Sequence, residues 1–466
     1  MERTAILNVV GLTTRLIGDV TPNIRDFLER HRVAKVEPVV PAVTCTAQAT
    51  YLTGRLPRDH GIVANGWYDR DYAEHRFWKQ PEQLIHGEKL WEMLKKIDPE
   101  YTCAKLFWWY NMHSSADFAI TPRPLYPADG KKVFDVHTQP MGMRDRLKKD
   151  LGPFPFRYFW GPASGIQSSA WIAESAKWVE EKHWPSLSLV YLPHLDYNLQ
   201  RFGLDAGVIN QDLRDIDSIV GDLIRFYEHR GIRVVLLSEY GITDVDQPVH
   251  LNRVFREKGW LSIKNELGLE TLDLGGSRAF AIADHQIAHV YVNDPSIADE
   301  VRAVLETTPG VQQVLGKMEK HYGGLNHERS GDFIVISDAR SWFTYYYWMD
   351  DKLAPDFARC VDIHRKCGYD PVELFLDPRM KHPKLKVAFK LLKKMLGFRM
   401  LMNVIPLDAS LVRGSHGRVP EDTADWPVLI GDFDDLPRNG IVAAHEVCAH
   451  LFKLCSHGQG YPGVGL

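Results

Sequence analysis

The 466-residue sequence lacks any long apolar run. No stretch approaches the ~18 apolar residues that a membrane-spanning helix needs, so no such helix is expected. It also lacks a basic excess. The formal net charge is −4 at pH 7, which leaves no electrostatic footprint for sequence-independent binding of a nucleic acid polymer. Cysteine is sparse: six residues at 45, 103, 360, 367, 448 and 455, none forming a Cys-x-x-Cys pair, so free thiols are expected rather than a disulfide framework. The late run His445, Cys448, His450, Cys455 and His457 fits no common zinc-finger spacing and reads as a terminal amphipathic helix. There are no internal repeats and no low-complexity segments. The N-terminus passes from Met-Glu-Arg-Thr straight into Ala5–Val10, a run too short for the ~7–15-residue core of a signal peptide. A cytoplasmic location is the expectation, with no membrane partner.

What is present is a globular composition, 45% hydrophobic and 25% charged, at a length within reach of one large α/β domain with insertions. Short apolar runs alternate with helical stretches: strands at Ile6–Val10, Leu187–Leu192 and Arg233–Ser238, helices at Ile24–His31 and Ile219–His229. That alternation predicts a mainly parallel central sheet with helices on both faces. Ligands then gather beyond the carboxyl ends of the strands. Insertions are expected at about 107–169 and 266–396, with inserted cap segments rich in aromatics (Phe107 to Tyr110, Tyr345 to Trp348). Those aromatics read first as core packing. The basic stretch Lys381–Lys394 reads as a helix with a solvated face.

Four segments carry chemistry. The first runs from Pro41 through Thr44, Cys45 and Thr53-Gly54 to His60-Gly61 and Asn65. A Thr opening a helix faces unsatisfied N–H groups and the positive end of the helix dipole, which favour a phosphate and a developing alkoxide; the ordinary alternative is a capping Thr. The second holds His194, Asp196 and Gln200 just after the strand Leu187–Leu192. The third is Ser238-Glu239-Tyr240-Gly241 after the next strand. The fourth is the glycine-rich loop Arg413-Gly414-Ser415-His416-Gly417. Two further polar clusters, Asp284-His285-Gln286 and Asp362 to Asp370 with His364, hold groups that bind metals or phosphates.

Together these segments resemble the alkaline phosphatase superfamily, in its type I phosphodiesterase and nucleotide pyrophosphatase branch. The resemblance implies an alkaline phosphatase-like fold over residues 1–466. It implies Thr44 as nucleophile, Asn65 on a phosphoryl oxygen, and Asp196 and His416 on a zinc ion. It also exposes departures. Gln200 and Tyr240 stand where the family has His, Glu239 where it has Asp, and Val10-Gly11 where it has Asp-Gly. A reduced or rebuilt site follows, with Asp196, His416 and Glu239 as metal ligands, His194, Gln200, Tyr240, His285 and His364 as possible additions, and at most one tightly bound divalent ion, zinc by expectation. The implied activity is hydrolysis of a small-molecule phosphate ester or diphosphate. The alternatives are a transferase or isomerase on a phosphorylated small molecule, since fold does not fix function, or a non-catalytic binding protein that has lost its metals.

Overall fold

The computed structural model describes residues 1–130, 132–398, 400–438 and 440–462. Its centre is a nine-stranded sheet. In chain order the strands are β1 Thr4–Val9, β2 Arg32–Glu37, β3 Cys103–Leu106, β4 Phe118–Pro122, β5 Val136–Gln139, β6 Leu187–Leu192 and β7 Arg233–Leu237. After the four strands of a second sheet, β8 Ala279–Asp284, β9 Ile287–Val292, β10 Val311–Leu315 and β11 Phe333–Ser337, the chain returns to the first sheet with β12 Val428–Gly431 and β13 Ile441–Ala443. The order across the large sheet is β13-β2-β12-β7-β1-β6-β3-β4-β5.

Strand β1 pairs in parallel with both β6 and β7, and β6 with β3. Every residue of β1 and of β6 is buried. That is the pattern of strands covered on both faces, and it explains why their sequences are continuous apolar runs rather than alternating ones. One helical layer is made by α1 Pro22–Arg30, α3 Ile166–His183 and α5 Ala206–Glu228; the other contains α2 Thr44–Thr53 and α6 Val447–Cys455. The expected α/β architecture is therefore present.

The two stretches expected as insertions differ in kind. Residues 107–169 supply β4 and β5, which extend the edge of the central sheet. Residues 266–396 hold the antiparallel sheet β8-β9-β11-β10. Apolar cores of its own gather around Phe280, Ile282, Trp342, Tyr345 and Trp348 on one side and Ala281, Val290, Val335 and Phe343 on the other. Trp108 and Tyr345 to Trp348 are fully buried, as core residues. All six cysteines are buried and free.

Candidate active site

The carboxyl ends of β1, β6 and β7 lie side by side because the three strands run in parallel register. Each is followed by polar residues. After β7, Ser238 pins the strand end: its Oγ donates to the Leu12 carbonyl at 2.6 Å and accepts from the Val428 N–H at 2.8 Å. This fixes the direction in which Glu239 and Tyr240 leave the sheet. After β6, helix α4 (His194–Phe202) starts at once and carries Asp196 and Gln200 one turn apart, so the two side chains share a face.

Thr44 is the first residue of α2, whose ten residues are all buried. So polar a helix can be buried because its side chains are matched. Thr50 meets His60 Nε2 at 3.0 Å, and Thr53 Oγ donates to the Ala49 carbonyl. Gln48 donates to Glu239 Oε1 at 2.5 Å and accepts from the Trp109 N–H at 2.7 Å. His60 also accepts from the Ile62 N–H at 3.0 Å, and burial lowers its pKa to about 3. It is a neutral strut that holds the turn after α2.

A chain of hydrogen bonds crosses the strand ends. Thr44 Oγ lies 3.1 Å from the Tyr240 hydroxyl, which donates to Asp196 Oδ1 at 3.2 Å. Since the phenol has one proton and gives it to Asp196, the Thr44 hydroxyl is the donor to Tyr240. The other oxygen of Asp196 accepts from the Gln200 amide at 2.7 Å, and the Gln200 carbonyl accepts from the Tyr369 hydroxyl at 3.0 Å. Glu239 Oε1 accepts from both Asn8 and Gln48. Burial raises the carboxyl of Asp196 to about 7 and that of Glu239 to about 8. It also keeps Tyr240 a neutral phenol by pushing its pKa well up.

His416 reaches this cluster from the Gly414–Gly417 loop. Its ring stacks on Tyr240 with centroids 3.6 Å apart, and its Nε2 lies 3.9 Å from Asp196 Oδ1. Nδ1 is 2.8 Å from the Ala42 carbonyl, so Nδ1 carries the proton and Nε2 keeps its lone pair. Burial, then the adjacent His285, push its pKa well below the ordinary value. Both glycines are required by space. A Cβ on Gly414 would stand 2.1 Å from the Leu199 carbonyl oxygen, and Gly417 has a φ of +121° with the Gln286 N–H 3.0 Å from where a Cβ would be.

The hairpin turn between β8 and β9 supplies Asp284 and His285. Asp284 accepts from the backbone and side-chain N–H groups of Asn65, at 2.8 and 3.1 Å, and is 2.7 Å from His285 Nδ1. Asn65 in turn accepts from the Cys45 N–H at 3.0 Å. The Asn65 carbonyl and one of its amide N–H bonds are engaged by α2 and Asp284, so the side chain ties the start of the helix to the second sheet, and the remaining amide N–H is the donor that a phosphoryl oxygen would meet. His285 has a φ of +62°, at the first position of a two-residue hairpin loop where glycine is usual. Its ring is clamped between Tyr369 and His416, with centroids 3.7 Å away on each side. A non-glycine residue held in the left-handed region marks a position that its surroundings over-determine.

Two candidates lie elsewhere. His194 is buried with its Nε2 3.1 Å from Asp212 on the next helix, an interhelical pairing rather than part of the Asp196 cluster. His364 contacts the Phe77 carbonyl through Nδ1, and its own carbonyl faces His75; after the turn at 363–365, Gly368 pairs with Ala283 and the Tyr369 N–H donates to the Ala283 carbonyl, so Tyr369, not His364, reaches the centre. Residues given no role from sequence are Gln48, Trp78 and Trp160. Trp78 stacks on Trp109 at 4.6 Å, and both Trp78 and Trp160 lie against Tyr369, at 6.0 and 5.6 Å. With Tyr369 they line a small cleft of about 10 Å³, room for about one water molecule, whose floor is the buried cluster Lys366, Asp370 and Glu373. Nothing local in the sequence sets these residues apart: Trp78 follows Phe77, and Trp160 ends the aromatic-rich run from Phe156 to Phe159.

Whether the side chains suit a divalent ion can be tested on their unmet valences. His416 Nε2, His285 Nε2 and Glu239 Oε2 are buried without a hydrogen-bond partner. Two of these are imidazole lone pairs whose other nitrogen is fixed by a carbonyl or carboxylate, the usual outer support of a metal-binding His. Among the described residues no three such groups converge on a common point. Asp196 Oδ1 and His416 Nε2, 3.9 Å apart, are the two donors that would hold a single ion, with the open Nε2 of His285 on the neighbouring ring. The second position of a two-metal centre does not fit, because the Tyr240 hydroxyl stands between Thr44 and Asp196 and one oxygen of Glu239 is committed to two amides.

Comparison with known proteins identifies the family and the fold. The family model for type I phosphodiesterase / nucleotide pyrophosphatase matches residues 4–370. An uncharacterized pyrophosphatase/phosphodiesterase of Schizosaccharomyces pombe is 24% identical over 277 residues, which is 57% of this chain and 49% of that protein, so the match spans about half the relative's length. Among solved structures, murine ectonucleotide pyrophosphatase / phosphodiesterase 5 has a TM-score of 0.58 at 13% identity, over 100% of this chain and 98% of the other. An inactive variant of that mouse protein, with one threonine changed to alanine and in complex with AMP, gives 0.59 at 14%, over 100% and 98%. Phosphonoacetate hydrolase from Sinorhizobium meliloti 1021, in complex with phosphonoformate, gives 0.60 at 13%, over 98% and 96%. At these identities the structural likenesses speak for the fold.

Proposed function

The chain belongs to the type I phosphodiesterase / nucleotide pyrophosphatase family, and from that premise we propose that it hydrolyses a small phosphate ester or diphosphate with Thr44 as the nucleophile. The observation that carries the proposal is the hydrogen-bond chain from Thr44 through Tyr240 to Asp196 at the first turn of a helix. It gives the threonine hydroxyl a place to send its proton as its oxygen bonds to phosphorus. Asp196, with a carboxyl near 7, is matched to receive that proton at neutral pH.

In the first step the Thr44 Oγ–P bond forms, the ester P–O bond breaks, and the leaving oxygen takes a proton from water. In the second step water attacks the phospho-threonine, the P–Oγ bond breaks, the proton held on Asp196 returns along the same chain to Thr44, and the proton shed by the attacking water neutralises the hydroxide left by the first step. The helix dipole of α2 favours the phosphoryl oxygens. A divalent ion on Asp196 and His416, zinc being the expectation for this ligand pair, would instead hold Asp196 ionised and supply the activation itself, lowering the pKa of a nearby oxygen and screening phosphate charge, so that proton transfer to Asp196 belongs to the metal-free site. His416 presents its free Nε2 for that purpose, held by the Ala42 carbonyl. Trp78, Trp160 and Tyr369, which meet at the edge of the cluster through Tyr369 and Gln200, are the aromatic groups nearest the site that a planar or apolar part of a substrate would meet.

Cys45 is the rival nucleophile. It is fully buried and its thiol is pushed well above its ordinary value by burial, so little thiolate forms at neutral pH. The test is turnover of a nitrophenyl phosphodiester and of a dinucleotide pyrophosphate. Thr44→Ala should remove at least 99% of it, a loss of about 10²-fold or more, while the melting temperature stays close to the parent's. Thr44→Ser should keep part of it. Activity that survives Thr44→Ala and disappears in Cys45→Ala would refute the assignment. A parent protein that binds AMP or phosphate but turns over neither substrate class would leave a binding protein in its place.

A further inference from the structure

The segment after Asp377 contains no acidic residue until Asp408, and Lys381–Arg399 alone holds six Lys and one Arg, on a chain whose net charge is −4. Its helix, α7, is placed between α5 and α6 in the chain and spans Pro383–Met395. At 13 residues it is about 20 Å long, too short to cross a bilayer.

The way this helix sits is the reverse of an ordinary surface helix. Past Pro383, the described side chains that turn toward the body are Val387, which packs against the core around Tyr345 and Ile405, and Lys390, whose ammonium donates to the Leu401 carbonyl and to Asn403. Val387 and Lys390 are three residues apart, so they mark one side of the helix. Leu385, Phe389, Leu392 and Leu396 recur at intervals of four, three and four residues, and that stripe lies on the opposite side. It is open to solvent: Leu385 is 74% exposed, Phe389 57% and Leu396 67%. Met395 at 83% and Phe398 at 64% widen it past the end of the helix, where Leu401 is also exposed. Lys386 and Lys393, both exposed, flank the stripe. An amphipathic helix normally buries its apolar stripe against the protein; here the apolar side faces out.

We propose that this helix, with the exposed Phe398 and Leu401 beyond it, forms a membrane-surface docking element that lies flat on an anionic lipid bilayer. The occupant follows from two features. The charge is of one sign and flanks the apolar stripe, which is the arrangement that seats a helix at the headgroup boundary with its lysines among anionic lipids. The exposed apolar residues spread from the helix into the following segment, forming a broad patch that suits a plane better than the groove of a protein partner. This replaces the solvated face expected for Lys381–Lys394, and it is independent of the catalytic reading.

The test is flotation of the full-length protein with vesicles of phosphatidylcholine alone and of phosphatidylcholine with about 30 mol% phosphatidylserine. The protein should float with the anionic vesicles and stay behind with the neutral ones, and raising salt to about 0.5 M should release it. A double change Phe389→Ser and Leu392→Ser, and separately Lys386→Glu and Lys393→Glu, should each weaken binding by about 10-fold or more. Val387 and Lys390 are untouched in both, so the melting temperature and turnover of a soluble substrate should not move. Absence of binding to anionic vesicles at low salt overturns the proposal, as does equal binding to neutral ones. Sedimentation showing a dimer that the Phe389/Leu392 change dissolves, with no vesicle binding, would assign the patch to a second copy of the chain instead.

Discussion

Changing Glu239 to Gln should make the protein's stability less sensitive to alkaline pH. Glu239 is 1% exposed, and burial raises its carboxyl from 4.5 to about 8. The folded state therefore binds a proton that the unfolded state has released, and the sign follows: the stability attached to the protonated form is fully present below about 4.5 and is lost as pH rises through about 8. At about 1.4 kcal/mol per pKa unit, the loss between pH 6 and pH 8 is about 2 kcal/mol and the whole loss by pH 8 about 4 kcal/mol. Gln removes this ionisation and keeps the oxygen that accepts from Asn8 and Gln48. Its amide N–H₂ stands where Oε2 has no partner, a cost the protonated carboxyl also bears. With an unfolding entropy of about 2 cal/mol/K per residue, a chain of 466 residues converts about 1 kcal/mol into roughly 1 °C. The melting temperature of the variant, measured in chelator, should thus gain about 2 °C on the parent between pH 6 and pH 8. The ionisation of Asp284, raised to about 6, acts on both proteins and cancels in the difference; that of Asp196, raised to about 7, repels the Glu239 charge in the parent alone and so widens the gap in the same direction. A gap that stays constant from pH 6 to pH 8, or a variant that loses ground as pH rises, would refute the account of Glu239 as a carboxyl held protonated by burial.

Tyr240→Phe deletes the hydroxyl between Thr44 and Asp196 and keeps the ring that stacks on His416; turnover should fall by about 10²-fold or more with the fold intact, and near-parental rates would remove the proton path. Gly417→Ala places a Cβ against the Gln286 N–H at a φ of +121°, so the protein should lose more than about 1 kcal/mol and its activity together, while an unaltered melting curve would contradict the crowding. Elemental analysis of protein purified without chelator should find at most one zinc per chain, lost from His416→Ala, whereas two ions per chain with Tyr240 as a ligand would overturn the reading of a single-ion site.

The central sheet was legible because burial on both faces writes itself as continuous apolar runs, and β1, β6 and β7 are such runs. Helix α5 was read only from Ile219, although it starts at Ala206. Its first turns carry Asn210, Gln211 and Asp212, which obscure an apolar period, and its start is fixed by the Asp205 side chain accepting from the Gly207 N–H. The glycine-flanked His416 and the helix-opening Thr44 stood out because their neighbours have no other reason to be so small or so polar. The partnership between Asn8 and Glu239 did not, since it joins residues 231 positions apart across two parallel strands. His364 looked as promising as His285 in its local string. What separates them is the turn after His364, which commits its ring to the Phe77 carbonyl. The basic helix showed its amphipathic pattern openly, but which side faces the body depends on Val387 and Lys390 meeting residues near Ile405 and Leu401, and that contact is not encoded in the period.

The altered ligand positions follow a common physical logic. A buried carboxylate needs either a cation or hydrogen-bond donors. Where the family has a histidine, this chain has Gln200 and Tyr240, and both donate to Asp196, one to each oxygen. Where the family has an aspartate at the end of the first strand, this chain has Val10, and the nearby Asn8 on the same strand donates to Glu239 instead, alongside Gln48. Each substitution replaces a lone pair that would hold a metal with an N–H or O–H that compensates the remaining carboxyl directly. The carboxyls then stay buried with raised pKa values rather than being held ionised by two metal ions. Under the proposed mechanism, the threonine oxygen is then activated by proton transfer through Tyr240 rather than by a second metal. Restoring a single ligand, as in Tyr240→His, is therefore not expected to rebuild the second site, because Gln200 and Val10 would still fail to supply the electron pairs around it.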